Sequence, residues 1–178
     1  MININEKNSI FLFIDFQEKL INMLKKDNCL KKAQILAQLA NKLEIKTIVT
    51  EQYPTGLGFT NESIKSYLSE NSKFFEKKSF SAITNIELEK ELTKPNIFVF
   101  GIETHICVFQ TVLDLINKNF NVFVIKDACA SREKEEFKTS INLMEKEGAK
   151  IITTEMVVFE MLKTSSHPKF KEIQKLIK

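Results

Sequence analysis

The chain has a single arginine, Arg132, among 178 residues, and lysine supplies the rest of its positive charge. The arginine fork is the side chain best matched to bidentate phosphate and base-edge contacts, and a net charge of +3 is small for this length. Nucleic acid is therefore not an expected partner. Lysine pairs such as Lys25-Lys26 and Lys31-Lys32 read as solvated helix faces. Cysteine is also sparse: Cys29, Cys107 and Cys129 form no CxxC pair, and an odd count is no disulfide framework. No apolar run approaches the roughly 20 residues that span a bilayer, so no membrane partner is expected. Met1 to Asn8 is too short for a signal or transit peptide before the first strand. A reducing, cytoplasmic setting is the expectation.

What is present is an ordinary globular balance, 43% hydrophobic and 28% charged, which excludes disorder and suits one domain over 1–178. Six apolar segments read as strands: Ser9 to Ile14, Lys46 to Thr50, Lys73 to Lys77, Ile97 to Phe100, Asn121 to Ile125 and Lys150 to Thr153. Several are continuous apolar runs, the pattern of a parallel sheet buried on both faces. Helical spacing fills the intervals. The helices run over Phe16 to Lys25, Cys29 to Leu43, Asn61 to about Glu70, Ile86 to Leu92, Ile106 to Ile116 and Glu133 to Glu147. Asp27-Asn28, Asn61, Thr84-Asn85 and Thr154 are candidate caps, and Gly148 and Pro168 mark a helix end and a helix start. Glu51 to Gly58 holds two of four glycines and one of three prolines, so it reads as a structured loop. Alternating strands and helices imply a parallel sheet with helices on both faces.

Polar residues gather just past the strand ends: Asp15, Glu51-Gln52, Lys77, Glu103 to Cys107, and Asp127. Ligands of open α/β sheets bind outside the carboxyl ends, where strand order reverses. If the first and fourth strands are neighbours there, Asp15 and Cys107 face one crevice. Cys107 falls in the first turn of the helix after the fourth strand, where free N–H groups and the dipole favour a thiolate. A small buried thiol is the competing reading of the same residue.

Three separated pieces carry a resemblance: Phe13-Ile14-Asp15-Phe16-Gln17, Lys77-Lys78-Ser79-Phe80-Ser81-Ala82, and Gly101 to Val108 with Gln110-Thr111. The chain resembles the isochorismatase-like cysteine hydrolases, and the likeness runs nearly end to end. Thr50-Glu51-Gln52-Tyr53-Pro54, Asp127-Ala128 to Ser131-Arg132, and His167 to Gln174 look like the isochorismatase domain-containing subgroup. The resemblance implies a three-layer α/β/α sandwich with a six-stranded parallel sheet. It implies an Asp15, Lys77, Cys107 catalytic set, with Lys77 chosen over Lys78 by the spacing to Phe80-Ser81. It also implies an oxyanion hole from the N–H groups of Glu103 and Cys107, and a cis peptide between Ile102 and Glu103. Phe16, Gln17, Gln52, Tyr53, Thr104 and His105 are candidate pocket residues. Members that keep the cysteine tend to be amidases, whereas those that cleave isochorismate typically lack it. Cys107 thus points to C–N hydrolysis of a small-molecule substrate. Metal-dependent relatives place histidine ligands between the first and third strands; here His105 and His167 lie outside that region, so neither metal nor cofactor is expected.

In that chemistry Lys77 and the helix start stabilise a Cys107 thiolate, Asp15 takes the thiol proton and returns it to the leaving amine, and water resolves a thioester. Two other functions remain: a weakly active or non-catalytic member acting through association, and a thiol redox sensor. The resemblance also implies a homo-oligomer, because C-terminal helices often build oligomers in that family, and Glu155 to Lys178 is the segment that would supply the interface in the association reading.

Overall fold

A computed structural model describes residues 3–24 and 28–177. Lys25, Lys26 and Asp27, named above, lie outside the described residues. Six parallel strands form one sheet: β1 (Ser9–Ile14), β2 (Lys46–Gln52), β3 (Lys73–Lys77), β4 (Asn96–Gly101), β5 (Asn121–Ile125) and β6 (Lys150–Ile152). Their spatial order is β3-β2-β1-β4-β5-β6. The order reverses between β1 and β4, so the crevice expected from the sequence lies there.

The helices are α1 (Glu18–Ile21), α2 (Cys29–Leu43), α3 (Pro54–Leu57), α4 (Glu62–Lys65), α5 (Ile86–Glu91), α6 (Phe109–Asn117), α7 (Lys134–Lys146), α8 (Thr154–Leu162) and α9 (Phe170–Gln174). Several are shorter than the sequence pattern suggests. α4 stops at Lys65 rather than near Glu70, because the chain turns at Ser66 and Tyr67 towards β3. Asn61 and Asn85 cap α4 and α5 as expected, accepting from Ser63 N and from Glu87 N and Leu88 N. Two cap expectations are corrected. Asn28 stands at the head of α2 without a side-chain cap bond. Thr153, not Thr154, occupies the cap position of α8, because the Thr154 hydroxyl and N–H both engage Asp127 Oδ1.

All six residues of β1 and all six of β4 are buried. Phe11, Phe13, Phe16, Phe98 and Phe100 form an aromatic seam between these strands and the layer above. Phe13 and Phe100 meet edge-on at 4.4 Å between ring centres, and Phe98 stacks on Phe123 at 4.7 Å. Each fully buried ring of this kind contributes about 1.5–3 kcal/mol of transfer free energy. Gly101 ends β4 because β1 comes too close for a side chain: a Cβ there would sit 2.3 Å from Ile14 O. The seam therefore fixes the ends of β1 and β4 against each other, and these ends carry the site.

Candidate active site

Asp15 is the first residue past β1 and is wholly buried, with φ 53. A left-handed backbone is uncommon for a side chain other than glycine and clusters at functional turns. It turns the carboxylate out of the strand line and towards β2 and β3. Oδ1 accepts from Thr50 Oγ1 at 2.7 Å, and Oδ2 faces Lys77 Nζ at 2.7 Å. Asp15 therefore does not cap α1, whose cap position is held by Gln17 without a side-chain bond. Lys77, the last residue of β3, is buried with its side chain 1% exposed. Its ammonium also meets Gln52 Oε1 at 2.7 Å, Phe80 O at 3.0 Å and Ser79 O at 3.4 Å. Every hydrogen of this ammonium has an acceptor, so the charge is fixed in place. Breaking such a buried pair from one side typically costs about 3–5 kcal/mol.

Cys107 enters from the other side of the crevice. The loop after β4 turns at Glu103, again left-handed with φ 57, and becomes a π-helical turn over Thr104–Val108 before α6 begins. π turns pair an N–H with the carbonyl five residues back and concentrate at functional sites. Cys107 thus lies in the first turn of the helix, as expected, but that turn is π-helical and begins at Thr104. Its thiol lies within hydrogen-bonding reach of both Asp15 and Lys77. Burial pushes the thiol up to about 12, the Asp15 charge adds to the rise, and Lys77 opposes it. Burial and Asp15 thus work against the expected resting thiolate, and Lys77 works for it.

The turn carrying Cys107 is tied down on both sides. Thr104 N–H and Oγ1 both donate to Ala130 O, at 3.0 and 2.9 Å. The Glu103 carboxylate accepts from Arg132 N–H at 3.1 Å and pairs with Arg132 Nε at 3.1 Å. Thr111 Oγ1 donates to Cys107 O at 2.7 Å and accepts from Ala82 N at 3.0 Å, joining α6 to the loop after β3. The cis peptide expected between Ile102 and Glu103 is absent; the described peptide bonds are all trans. The left-handed Glu103 makes the sharp turn instead, leaving Ile102 N–H on Ile14 O and Thr104 N–H on Ala130 O.

Comparison with known proteins gives the chain its family. An isochorismatase domain matches residues 9–156. Isochorismatase domain-containing protein 2 of Xenopus laevis is 36% identical over 98% of this chain and 85% of its own length. The chain belongs to the isochorismatase family. It is a hydrolase-family protein of α/β fold. Among solved structures, the MAR1 ribonuclease of Caenorhabditis elegans is 38% identical, with a TM-score of 0.94, covering 99% of this chain and 92% of that one. A protein of Leishmania major described in the same terms is 36% identical, with a TM-score of 0.90 over 98% of this chain and 94% of that one. These likenesses overturn the expectation that nucleic acid is no partner: one arginine was too narrow a ground for it, since similar chains are described as ribonucleases. No described helix is long and apolar enough to cross a membrane.

The remaining family-derived pocket residues divide sharply. Gln52 reaches the site, through Lys77. Phe16 is buried between the rings of Phe13 and Phe100 and is core packing. Gln17 ties the end of β2 to the loop beyond it: Nε2 donates to Gln52 O at 3.0 Å and Gly58 O at 2.5 Å, and Oε1 accepts from Gln52 N. Thr104 is engaged with Ala130 as described. Tyr53 is exposed and lines a cavity of about 360 Å³ with Pro54, Thr55, Glu76, Lys77 and Lys78. His105 is half-buried, its Nδ1 3.0 Å from Ser131 Oγ and its Nε2 3.8 Å from Glu103 Oε2. Thr50 was missed by sequence reasoning, although its signal was legible: a hydroxyl two residues before Gln52, hence on the same side of β2, at the end of a parallel strand.

Proposed function

We propose that the chain is a cysteine hydrolase that cleaves a C–N bond of a small amide. The observation that carries this reading is the buried Asp15–Lys77 pair within hydrogen-bonding reach of Cys107. A thiol held near pKa 12 does not wait as a thiolate; it loses its proton as it attacks. The Cys107 proton passes to Asp15 while Sγ bonds the carbonyl carbon. The tetrahedral intermediate expels the amine, which takes the proton back from Asp15. Water, deprotonated by Asp15, then attacks the thioester and releases the acid and the thiol. Lys77 keeps the negative charge that builds between Asp15 and Sγ compensated throughout. The same burial weighs against the redox-sensor reading, which needs an accessible, low-pKa thiol.

Two backbone donors support the oxyanion part of the proposal. The Glu103 N–H has no acceptor among the described residues. In a π turn the ladder begins five residues after its first carbonyl, so the Cys107 N–H precedes it. Within the family, the isochorismatase domain-containing group and the MAR1-ribonuclease-like chains fit this sequence about equally well by identity.

RNA cleavage is the second reading, favoured by the description of those similar structures as ribonucleases. On RNA, Asp15 would serve as base and Lys77 as cation, and the cysteine nucleophile would be dispensable. A panel of small amides and a labelled RNA, each incubated with wild type and Cys107→Ala, separates the two. The amide reading expects ammonia release by wild type and none by the variant. RNA cleavage retained in Cys107→Ala, with no amide turned over by wild type, would replace it.

A further inference from the structure

Gln52 has one workable amide orientation. Its Nε2 donates to Lys78 O at 2.7 Å, and its Oε1 faces Lys77 Nζ at 2.7 Å. Reversed, it would set an NH₂ against an ammonium and an oxygen against a carbonyl. Gln17 fixes the backbone of the same residue by accepting from its N–H and donating to its carbonyl. A chain of contacts therefore runs from Gln17 through Gln52 to Lys77 and on to Asp15. Of the two side chains that bind the ammonium, Asp15 is charged and Gln52 is neutral. Asp15 and Lys77 together sum to zero beside the thiol. A second carboxylate in place of Gln52 would leave that surrounding negative and oppose charge building on Sγ. The other charged groups near Cys107 lie on its own turn: Glu103 is paired with Arg132, and His105 turns to Ser131 and Glu103.

We infer that Gln52 is a positioning residue whose neutral amide aims the Lys77 ammonium at Cys107 without cancelling its charge. The inference rests on Cys107 as the reacting group, as proposed above, but its test needs no substrate. The probe is iodoacetamide, a small neutral alkylator attacked by the thiolate with loss of iodide. The rate is read at Cys107 by peptide mass, in wild type, Gln52→Glu and Gln52→Met, at about pH 8, where the small thiolate fraction limits the reaction. Gln52→Glu keeps an acceptor on Lys77 but cancels its charge, and is expected to slow alkylation about tenfold or more. Gln52→Met keeps the bulk and loses both hydrogen bonds, and is expected to slow it only about threefold, because Asp15 and two carbonyls still hold the ammonium. The order is the discriminating result. A purely structural role makes Gln52→Met the worse variant, and that order overturns the inference, as do unchanged rates in both. Should Gln52→Glu fail to fold in a thermal melt, Gln52→Met decides alone: an unchanged rate overturns the inference. Amide turnover is measured separately. Failure of wild type to turn over amides, with the alkylation order intact, removes the proposed function and leaves the role of Gln52 standing.

Discussion

Asp15, Tyr53 and Glu103 follow the ends of β1, β2 and β4, and all three hold a left-handed backbone without being glycine. Such residues cost free energy, of order 1–3 kcal/mol each, and persist where surrounding contacts over-determine them. For Asp15 those contacts are Thr50 and Lys77. Thr50→Val removes the hydroxyl on Asp15 Oδ1 while keeping the shape, and is expected to lower kcat about tenfold with KM little changed; Thr50→Ser is expected to restore most of it. Steady-state kinetics on any amide that is turned over checks both. The raised Cys107 pKa also has a stability consequence. In the unfolded chain the thiol loses its proton near its ordinary value of 9.0, while in the fold it keeps it until about 12. The unfolded state therefore binds fewer protons across that window, and stability falls as pH rises from 9 towards 12. Cys107→Ser has no thiol to titrate. Denaturant melts of the two proteins should diverge above pH 9, with wild type losing more.

Among elements, β1 and β4 were legible from sequence because a strand buried on both faces must be apolar throughout, and Ile10 to Ile14 and Ile97 to Phe100 are. Phe11, fully buried between Phe98 and Phe100, is expected to cost about 3–5 kcal/mol when cut to alanine, read as a lowered denaturation midpoint. Gly101→Ala should also destabilise, since its Cβ would meet backbone rather than a movable side-chain tip, and should misplace the Cys107 turn with it. The turn itself was not legible. A helical apolar repeat starting at Ile106 cannot reveal that the first turn is π-helical, because that depends on Glu103 and Thr104 being held by Arg132 and Ala130, from beyond β5. The Thr154 cap failed for a similar reason: its hydroxyl and N–H were taken by Asp127, a distant residue, whereas Asn61 and Asn85 cap as their local pattern suggests.

For the whole molecule, the sheet order makes the site. β1 sits between β2 and β4, so Asp15 meets Thr50 and Lys77, the latter held by Gln52, on one side and Cys107 on the other. Sequence spacing alone placed these residues at strand ends; the family resemblance singled out three of them, and only the packed fold added Thr50 and gave Gln52 its partner. The molecule joins a buried thiol, a paired carboxylate and a fixed ammonium in one crevice, and the central claim is that this thiol carries the acyl group. The direct measurement is an acid quench during amide turnover, with the adduct located by peptide mass. The expected result is an acyl mass on Cys107 in wild type, none on Cys29 or Cys129, and neither adduct nor ammonia release in Cys107→Ala. Amide turnover that persists in Cys107→Ala, with no acyl group on Cys107 in wild type, would contradict it.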